Sequence, residues 1–99
     1  MVIQHRQNGA NGMFYIPGED DADELLAEMT YLRQEPNTMI IEHTEVSDEL
    51  RGQNIGYQLV HTAVEYARTH HMKIIPMCTF AKAVIDKKPE FRDVLEAEG

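Results

Sequence analysis

A strand, a helix and a second strand follow one another in the middle of this sequence, and that order leaves few possible folds. Residues 39–46 are rich in β-branched and apolar side chains, as strands are, and residues 73–78 form a second short apolar run. Between them, from about Asn54 to about His71, apolar residues recur every three or four positions, which predicts a helix with one buried face. Because such a unit crosses over in a right-handed sense, it predicts two parallel strands with the helix packed against them.

Three further strands are predicted before this unit and two short helices after it. Residues 3–7 and 13–16 flank a turn with two glycines, which favours a hairpin, and residues 25–33 alternate apolar and polar side chains. Residues 80–87 and 90–95 predict the helices. Pro76 cannot donate to a strand ladder, so it indicates an edge or a splayed strand end. The fold class predicted is α/β (α+β): a compact mixed sheet of about five strands with one parallel βαβ crossover and short C-terminal helices.

Length and composition fit one globular domain over residues 1–99. The chain has room for a single core, and 42% hydrophobic with 26% charged residues is the usual balance of a folded protein. Its one cysteine cannot form an intrachain disulfide, which favours a reducing compartment. No apolar run approaches the roughly 20 residues that span a bilayer. We expect a cytoplasmic protein with no membrane partner, either a monomer or a weak homodimer.

The charge is divided unequally along the chain. The net charge is −8, which disfavours a nucleic-acid partner because phosphate contacts need clustered Lys and Arg. Residues 1–50 hold two basic and eleven acidic residues, and six of the acidic ones lie within residues 19–28. Residues 51–99 hold seven basic and six acidic residues. An anionic ligand is therefore expected on the second half, and a cationic one over the first.

The turn before the long helix is the strongest candidate for a binding site. The run Leu-Arg-Gly-Gln-Asn-Ile-Gly at residues 50–56 lies between a strand end and a helix start, where free N–H groups and the helix dipole favour a phosphate. Gly52 and Gly56 allow a close approach of the backbone, Asn54 tolerates a left-handed conformation, and Arg51 adds positive charge. The alternative is a plain helix cap. The run is neither a Walker A loop nor a full dinucleotide-binding motif.

Here the sequence resembles the GNAT acetyltransferases, whose motif at this place is Arg/Gln-x-x-Gly-x-Gly/Ala. Arg51, Asn54 and Gly56 follow that pattern, with Asn54 in the position of the middle glycine. Residues 43–46, 75–80 and 88–91 extend the similarity to the small, single-cysteine YjdJ-type subgroup. The resemblance implies a compact GNAT-like sheet. With 99 residues, the chain has no room for the pair of helices that usually covers the acceptor in this family, so we expect an open acceptor site.

The resemblance also implies acetyl-CoA as cosubstrate. Its pantetheine arm would lie near Val46 and its pyrophosphate on residues 53–57. The implied cofactor-binding residues are Val46, Arg51, Gly52, Gln53, Asn54, Gly56, Tyr57 and Phe80.

Two residues are candidates for the chemistry. Cys78 lies at the carboxyl end of the second parallel strand, where ligands of α/β sheets collect, and Phe80 stands where many GNAT members have an acid tyrosine. Cys78 could act as acid or as nucleophile, or it could be an inert small hydrophobic residue. His43 could act as a base facing the same cleft as Glu45, or it could be a structural histidine. The other histidines have no matching ligands, so we predict no metal.

The sequence thus favours an acetyl-CoA-dependent N-acetyltransferase. The acceptor predicted is a primary amine, cationic before reaction, on a small molecule or a lysine side chain. A module that binds CoA or acyl-CoA without catalysis, or a partner protein, is the alternative, because Asn54 and Phe80 depart from the family pattern. A thiol redox protein is disfavoured because there is no resolving cysteine.

Overall fold

The computed structural model describes residues 2–20 and 24–95. Five strands, two α-helices and two 3₁₀ segments make up this part of the chain. In order they are β1 (Gln4–Asn8), β2 (Asn11–Pro17), β3 (Leu25–Gln34), β4 (Thr38–Val46), a 3₁₀ turn (Asp48–Leu50), α1 (Ile55–Thr69), β5 (Lys73–Pro76), α2 (Thr79–Lys87) and a C-terminal 3₁₀ helix (Pro89–Val94).

The strands form one mixed sheet in the order β1-β2-β3-β4-β5. The first four are antiparallel neighbours, and β5 lies parallel to β4 after the crossover through α1. The predicted fold class is therefore confirmed. Pro76 ends the outermost strand, as its missing N–H requires, and Cys78 is not part of that strand but the residue that precedes α2.

The helices cover one face of this sheet. Side chains of α1, α2 and the C-terminal 3₁₀ helix share a single core with inward-facing residues of the strands. The centre of that core is fully buried and includes Met29, Met39, Ile41, Leu59 and Val64. We call this side the helix face. The opposite side, the bare face, has no helix packed on it within the described residues. No described helix is long and apolar enough to cross a bilayer.

A β-bulge in β4 decides which of its side chains reach which face. Tyr31 pairs with Ile41 but Thr30 pairs with His43, so one extra residue, Glu42, is inserted into β4. Thr44 then lies opposite the fully buried Met29 and points to the helix face. By the same alternation, Val46 points to the helix face, whereas His43 and Glu45 point to the bare face.

Pairing between β4 and β5 ends beside this bulge. The last paired residues are Ile41 and Pro76. The backbone N–H groups of Met77 and Cys78 then both donate to the carbonyl oxygen of Ile41, at 3.0 and 3.2 Å. Beyond that point β4 has no partner on its β5 side among the described residues. A gap in the sheet therefore opens next to Cys78.

Candidate functional site

A cavity of about 410 Å³ lies on the helix face where α1 begins, between the end of β4 and the start of α2. We call it the helix-start cavity. Seven of the eight predicted cofactor-binding residues line it: Val46, Arg51, Gly52, Asn54, Gly56, Tyr57 and Phe80. Thr44, Leu50 and Ile55 complete the lining. The remaining predicted residue, Gln53, faces a neighbouring depression instead. Residues predicted from a local motif are thus brought together by the fold.

The backbone of the 51–56 loop leaves donors free at this cavity. Asn54, directly before α1, has φ 60° and ψ 30°, a left-handed conformation, and Gly52 has φ 84°. The Asn54 side chain does not cap the helix. The first N–H groups of α1, from Ile55 to Tyr57, have no acceptor within the helix. Together with the positive end of the helix dipole, they give the cavity wall a geometry that favours an anion.

Positive charge at the cavity comes from two side chains. The Arg51 guanidinium lies 2.6 Å from an Asp48 carboxylate oxygen, and both side chains are exposed, so its charge is partly compensated. Lys88 was not among the predicted binding residues. Its Nζ lies 5.3 Å from the centroid of the Tyr57 ring, which also stacks with Phe91 at 5.9 Å. The cavity therefore has an aromatic surface with a cation at one side.

Gly56 leaves space for a side chain that the sequence motif did not indicate. A Cβ atom at this position would lie 2.6 Å from Cζ of Phe80, closer than carbon atoms pack. The Phe80 ring is 43% exposed and lies over the helix start. Met77 and Val46 are the other exposed apolar side chains of this region. Phe80 therefore forms a movable apolar border of the helix-start cavity.

Cys78 lies beside the cavity with hydrogen bonds from two elements. It is the residue before α2, and its Sγ is 3.6 Å from Oγ1 of Thr44. Burial raises the pKa of the thiol, but hydrogen bonds from the Ala81 N–H, the Thr44 hydroxyl and the Phe80 N–H outweigh it, so the pKa is lowered overall. A thiolate in this position is a nucleophile. Thr44 was not among the predicted residues, because the bulge that turns it towards Cys78 depends on pairing with β3.

His43 lies on the other side of the sheet. Its Nδ1 is 3.1 Å from Oγ1 of Thr30, and its Nε2 is 3.7 Å from a carboxylate oxygen of Glu28. Glu45 shares the bare face with it. The structure therefore does not bring the side chains of His43 and Cys78 together on one face. They lie on either side of β4, next to the gap that opens beyond Ile41.

The acidic run was predicted to receive a cationic ligand. Residues 21–23 lie outside the described part of the chain. The neighbouring acidic residues line a polar depression beside the 51–56 loop: Glu19, Asp20 and Glu24, together with Glu49 and Gln53. The run thus borders the helix face, and the carboxylates of the bare face are instead Glu28, Glu42 and Glu45.

The remaining histidines form no metal-binding group in the described residues. His61 lies 3.9 Å from Glu65, and its ring is part of the aromatic stack with Tyr57 and Phe91. Within residues 2–20 and 24–95, no three His, Cys, Asp or Glu residues converge as ligands. His61 is therefore a packing residue of the helix face.

Known proteins share both the sequence pattern and the fold. Residues 13–94 match the family described as GCN5-related N-acetyl-transferase. A GCN5-like protein from Staphylococcus aureus, whose solution NMR structure is known, is 39% identical, with a TM-score of 0.70 over 97% of this chain and 90% of that one.

Two other solved structures share the fold at lower identity. For a ribosomal-protein-alanine N-acetyltransferase from Brucella melitensis, the identity is 12% and the TM-score 0.60, over 93% of this chain and 66% of that one. For an IAA acetyltransferase from Bacillus cereus, the values are 22% and 0.58, over 80% and 54%. The chain thus spans only part of the length of these two proteins. No curated protein sequence matches it significantly.

Proposed function

Because this chain belongs to the family of GCN5-related N-acetyltransferases, we propose that it transfers the acetyl group of acetyl-CoA to a primary amine. The observation that carries the proposal is the helix-start cavity, which joins an anion-binding helix start to a thiol of lowered pKa. A free thiol is compatible with the reducing cytoplasm, where we place the reaction.

The cavity offers a place for each part of acetyl-CoA. The pyrophosphate fits the free N–H groups of Ile55, Gly56 and Tyr57, with Arg51 as counter-charge. The pantetheine amides can hydrogen-bond to the edge of β4 near Thr44 and Val46, where β5 no longer pairs. The adenine can stack near Tyr57, with Lys88 close to a phosphate. The thioester then lies next to Cys78.

Cys78 can serve this transfer in two ways. As nucleophile, its thiolate attacks the thioester carbonyl; a bond from carbon to Cys78 sulfur forms, and CoA leaves as a thiolate. The neutral amine then attacks the acetyl-cysteine, a C–N bond forms, the Cys78 thiolate is released, and the proton lost from the amine nitrogen passes to solvent. As acid, the Cys78 thiol gives its proton to the departing CoA thiolate during direct attack by the amine. The lowered pKa of Cys78 favours the nucleophile, because it raises the share of the thiolate, which is the attacking form.

Variants of Asn54 test the binding half of the proposal. Asn54→Asp keeps the shape and tolerates the left-handed backbone, but it places a carboxylate next to the pyrophosphate. Asn54→Gly suits the same backbone without charge. Calorimetry with acetyl-CoA should show an affinity about tenfold or more lower for Asn54→Asp, and unchanged or higher affinity for Asn54→Gly. Equal affinities for the two variants would place the pyrophosphate elsewhere.

Exposure to acetyl-CoA without an amine tests the role of Cys78. If Cys78 is the nucleophile, the intact mass of the protein should show an acetyl adduct. The Cys78→Ala variant should bind acetyl-CoA but cannot form this adduct. Absence of the adduct combined with loss of turnover in Cys78→Ala would favour the acid role.

A CoA-binding module without catalysis is the second candidate. It is favoured by one observation: Phe80, which has no proton to donate, stands close to the helix start in the place of an acid tyrosine. Binding of acetyl-CoA without release of free CoA in the presence of any amine would support it over the transferase.

A further inference from the structure

A second cavity, of about 450 Å³, lies on the bare face and takes no part in the binding of acetyl-CoA proposed above. We call it the bare-face cavity. Arg6, Met13, Thr30 and His43 stand side by side across β1, β2, β3 and β4, because each is paired with the next in the sheet, and all four line the cavity. Met13 and Thr30 in the middle of this row are half-buried, whereas Arg6 and His43 at its ends are exposed.

The two ends of the row carry opposite charges. At the β4 end, Glu42 lines the cavity and Glu28 lies 3.7 Å from His43. At the β1 end, the Arg6 guanidinium stands 4.7 Å from the centroid of the Tyr15 ring. Within residues 2–20 and 24–95, no carboxylate lies within ion-pair distance of Arg6. The cavity therefore offers a carboxylate end for an ammonium group and a guanidinium end for an anion.

The spacing of strands sets the length of ligand that would reach both ends. Neighbouring strands lie about 4.8 Å apart, so three steps separate Arg6 from His43 by about 14 Å at the backbone. With a hydrogen bond of about 3 Å at each end, about 8 Å is left for the ligand, the length of a chain of five or six carbons.

The β4 end of the cavity lies next to the reacting atoms of the proposed transfer. His43 on the bare face and Thr44 on the helix face are consecutive residues, and Thr44 contacts Cys78. Because β4 and β5 no longer pair beyond Ile41, no backbone ladder between these two strands separates the two faces at this place. An amine at His43 can thus approach the thioester from the side opposite to the helix start, and His43 can take its proton.

We infer that the bare-face cavity is the acceptor site and selects a linear primary amine whose far end is a carboxylate. This inference rests on the proposed acetyl transfer. Glu28, Glu42 and His43 would face the ammonium group, and Arg6 would pair with the carboxylate. A second ammonium group at the far end would meet Arg6 and be repelled, so diamines of the same length are poor acceptors.

Three acceptors of equal length test the selection: 6-aminohexanoate, hexylamine and 1,6-diaminohexane. An exposed ion pair changes an equilibrium or rate ratio by about two- to fivefold. At low salt, kcat/KM should therefore be about fivefold lower for the diamine than for the amino acid. High salt should reduce the difference. Arg6→Glu should reverse the order. Arg33→Glu, which makes the same charge change outside the cavity, should leave the order unchanged.

Equal kcat/KM for the three amines, or an order unaffected by Arg6→Glu, would overturn the inference and leave the acetyltransferase intact. Binding can be measured without turnover. Titration of 6-aminohexanoate into ¹⁵N-labelled protein should shift the amide signals of Arg6, Met13, Thr30 and His43. Shifts confined to other residues, or no shifts at millimolar concentration, would overturn the inference whether or not any amine is acetylated. Failure of the protein to acetylate any amine is a separate result, which counts against the proposed function.

Discussion

Replacement of Thr44 by Val should lower the reactivity of Cys78 while the fold is kept. Val has nearly the shape of Thr but lacks the hydroxyl group, which accepts a hydrogen bond from the Cys78 thiol and donates one to the thiolate once the proton is lost. A hydrogen bond to a charged acceptor contributes about 1.5–3 kcal/mol, and the long distance of 3.6 Å places this one below that range, at about 1 kcal/mol. Because 1.4 kcal/mol is a factor of ten in an equilibrium constant, the thiolate should be about fivefold less populated.

Alkylation by iodoacetamide measures this change directly, since only the thiolate reacts. The rate at Cys78, followed from pH 5 to 9, should rise at higher pH in Thr44→Val than in the parent. Thr44→Ser keeps the hydroxyl group and should react like the parent. Identical pH profiles for the parent and Thr44→Val would refute the argument, because the lowered pKa of Cys78 would then come from backbone groups alone.

Three further substitutions test the packing described above. Gly12→Ala should lower the free energy of unfolding by about 1–3 kcal/mol in chemical denaturation, because the added Cβ collides with the fully buried Tyr31 ring. Gly56→Ala should change the free energy of unfolding by less than about 1 kcal/mol, since the half-exposed Phe80 ring can turn aside, but it should weaken binding of acetyl-CoA. In a Phe80→Ala background, Gly56→Ala should have no further effect on stability or on binding. Burial, and His70 nearby, lower the pKa of His5, so its folded form binds protons less readily than the unfolded chain. Stability should therefore fall as the pH drops below about 6.5, and less so in His5→Gln; equal slopes would contradict this.

Local sequence was sufficient to predict the strands, the helices and the 51–56 loop. The periodic spacing in α1 and the turn residues before it depend on neighbours in the chain, and the left-handed Asn54 is a local property of its residue type. The same is true of Pro76 at the sheet edge. These features could be predicted because few distant contacts are needed to form them.

The faces of β4 could not be predicted in the same way. An unbroken strand would alternate its side chains from Met39 to Val46, but the insertion of Glu42 reverses the alternation halfway. His43 and Glu45 were predicted to face one cleft, and they share the bare face, but Cys78 lies on the other side of β4. Thr44 was passed over although it contacts Cys78. Gly56 was assigned to the ligand, whereas in the structure the Phe80 ring occupies the space that a Cβ at this position would take. Membership of the YjdJ-type subgroup, the roles of the site residues and the oligomeric state stay predictions.

Formation of product from labelled acetyl-CoA tests the central claim most directly. Acetyl-CoA carrying ¹³C in its acetyl group is mixed with the protein and 6-aminohexanoate, and the reaction is followed by NMR. The parent should convert the thioester signal into that of an N-acetyl amide at a rate proportional to protein concentration, and Cys78→Ala, at saturating acetyl-CoA, should not. Binding of acetyl-CoA by the parent without any amide signal, from this acceptor or from hexylamine and 1,6-diaminohexane, would contradict the account.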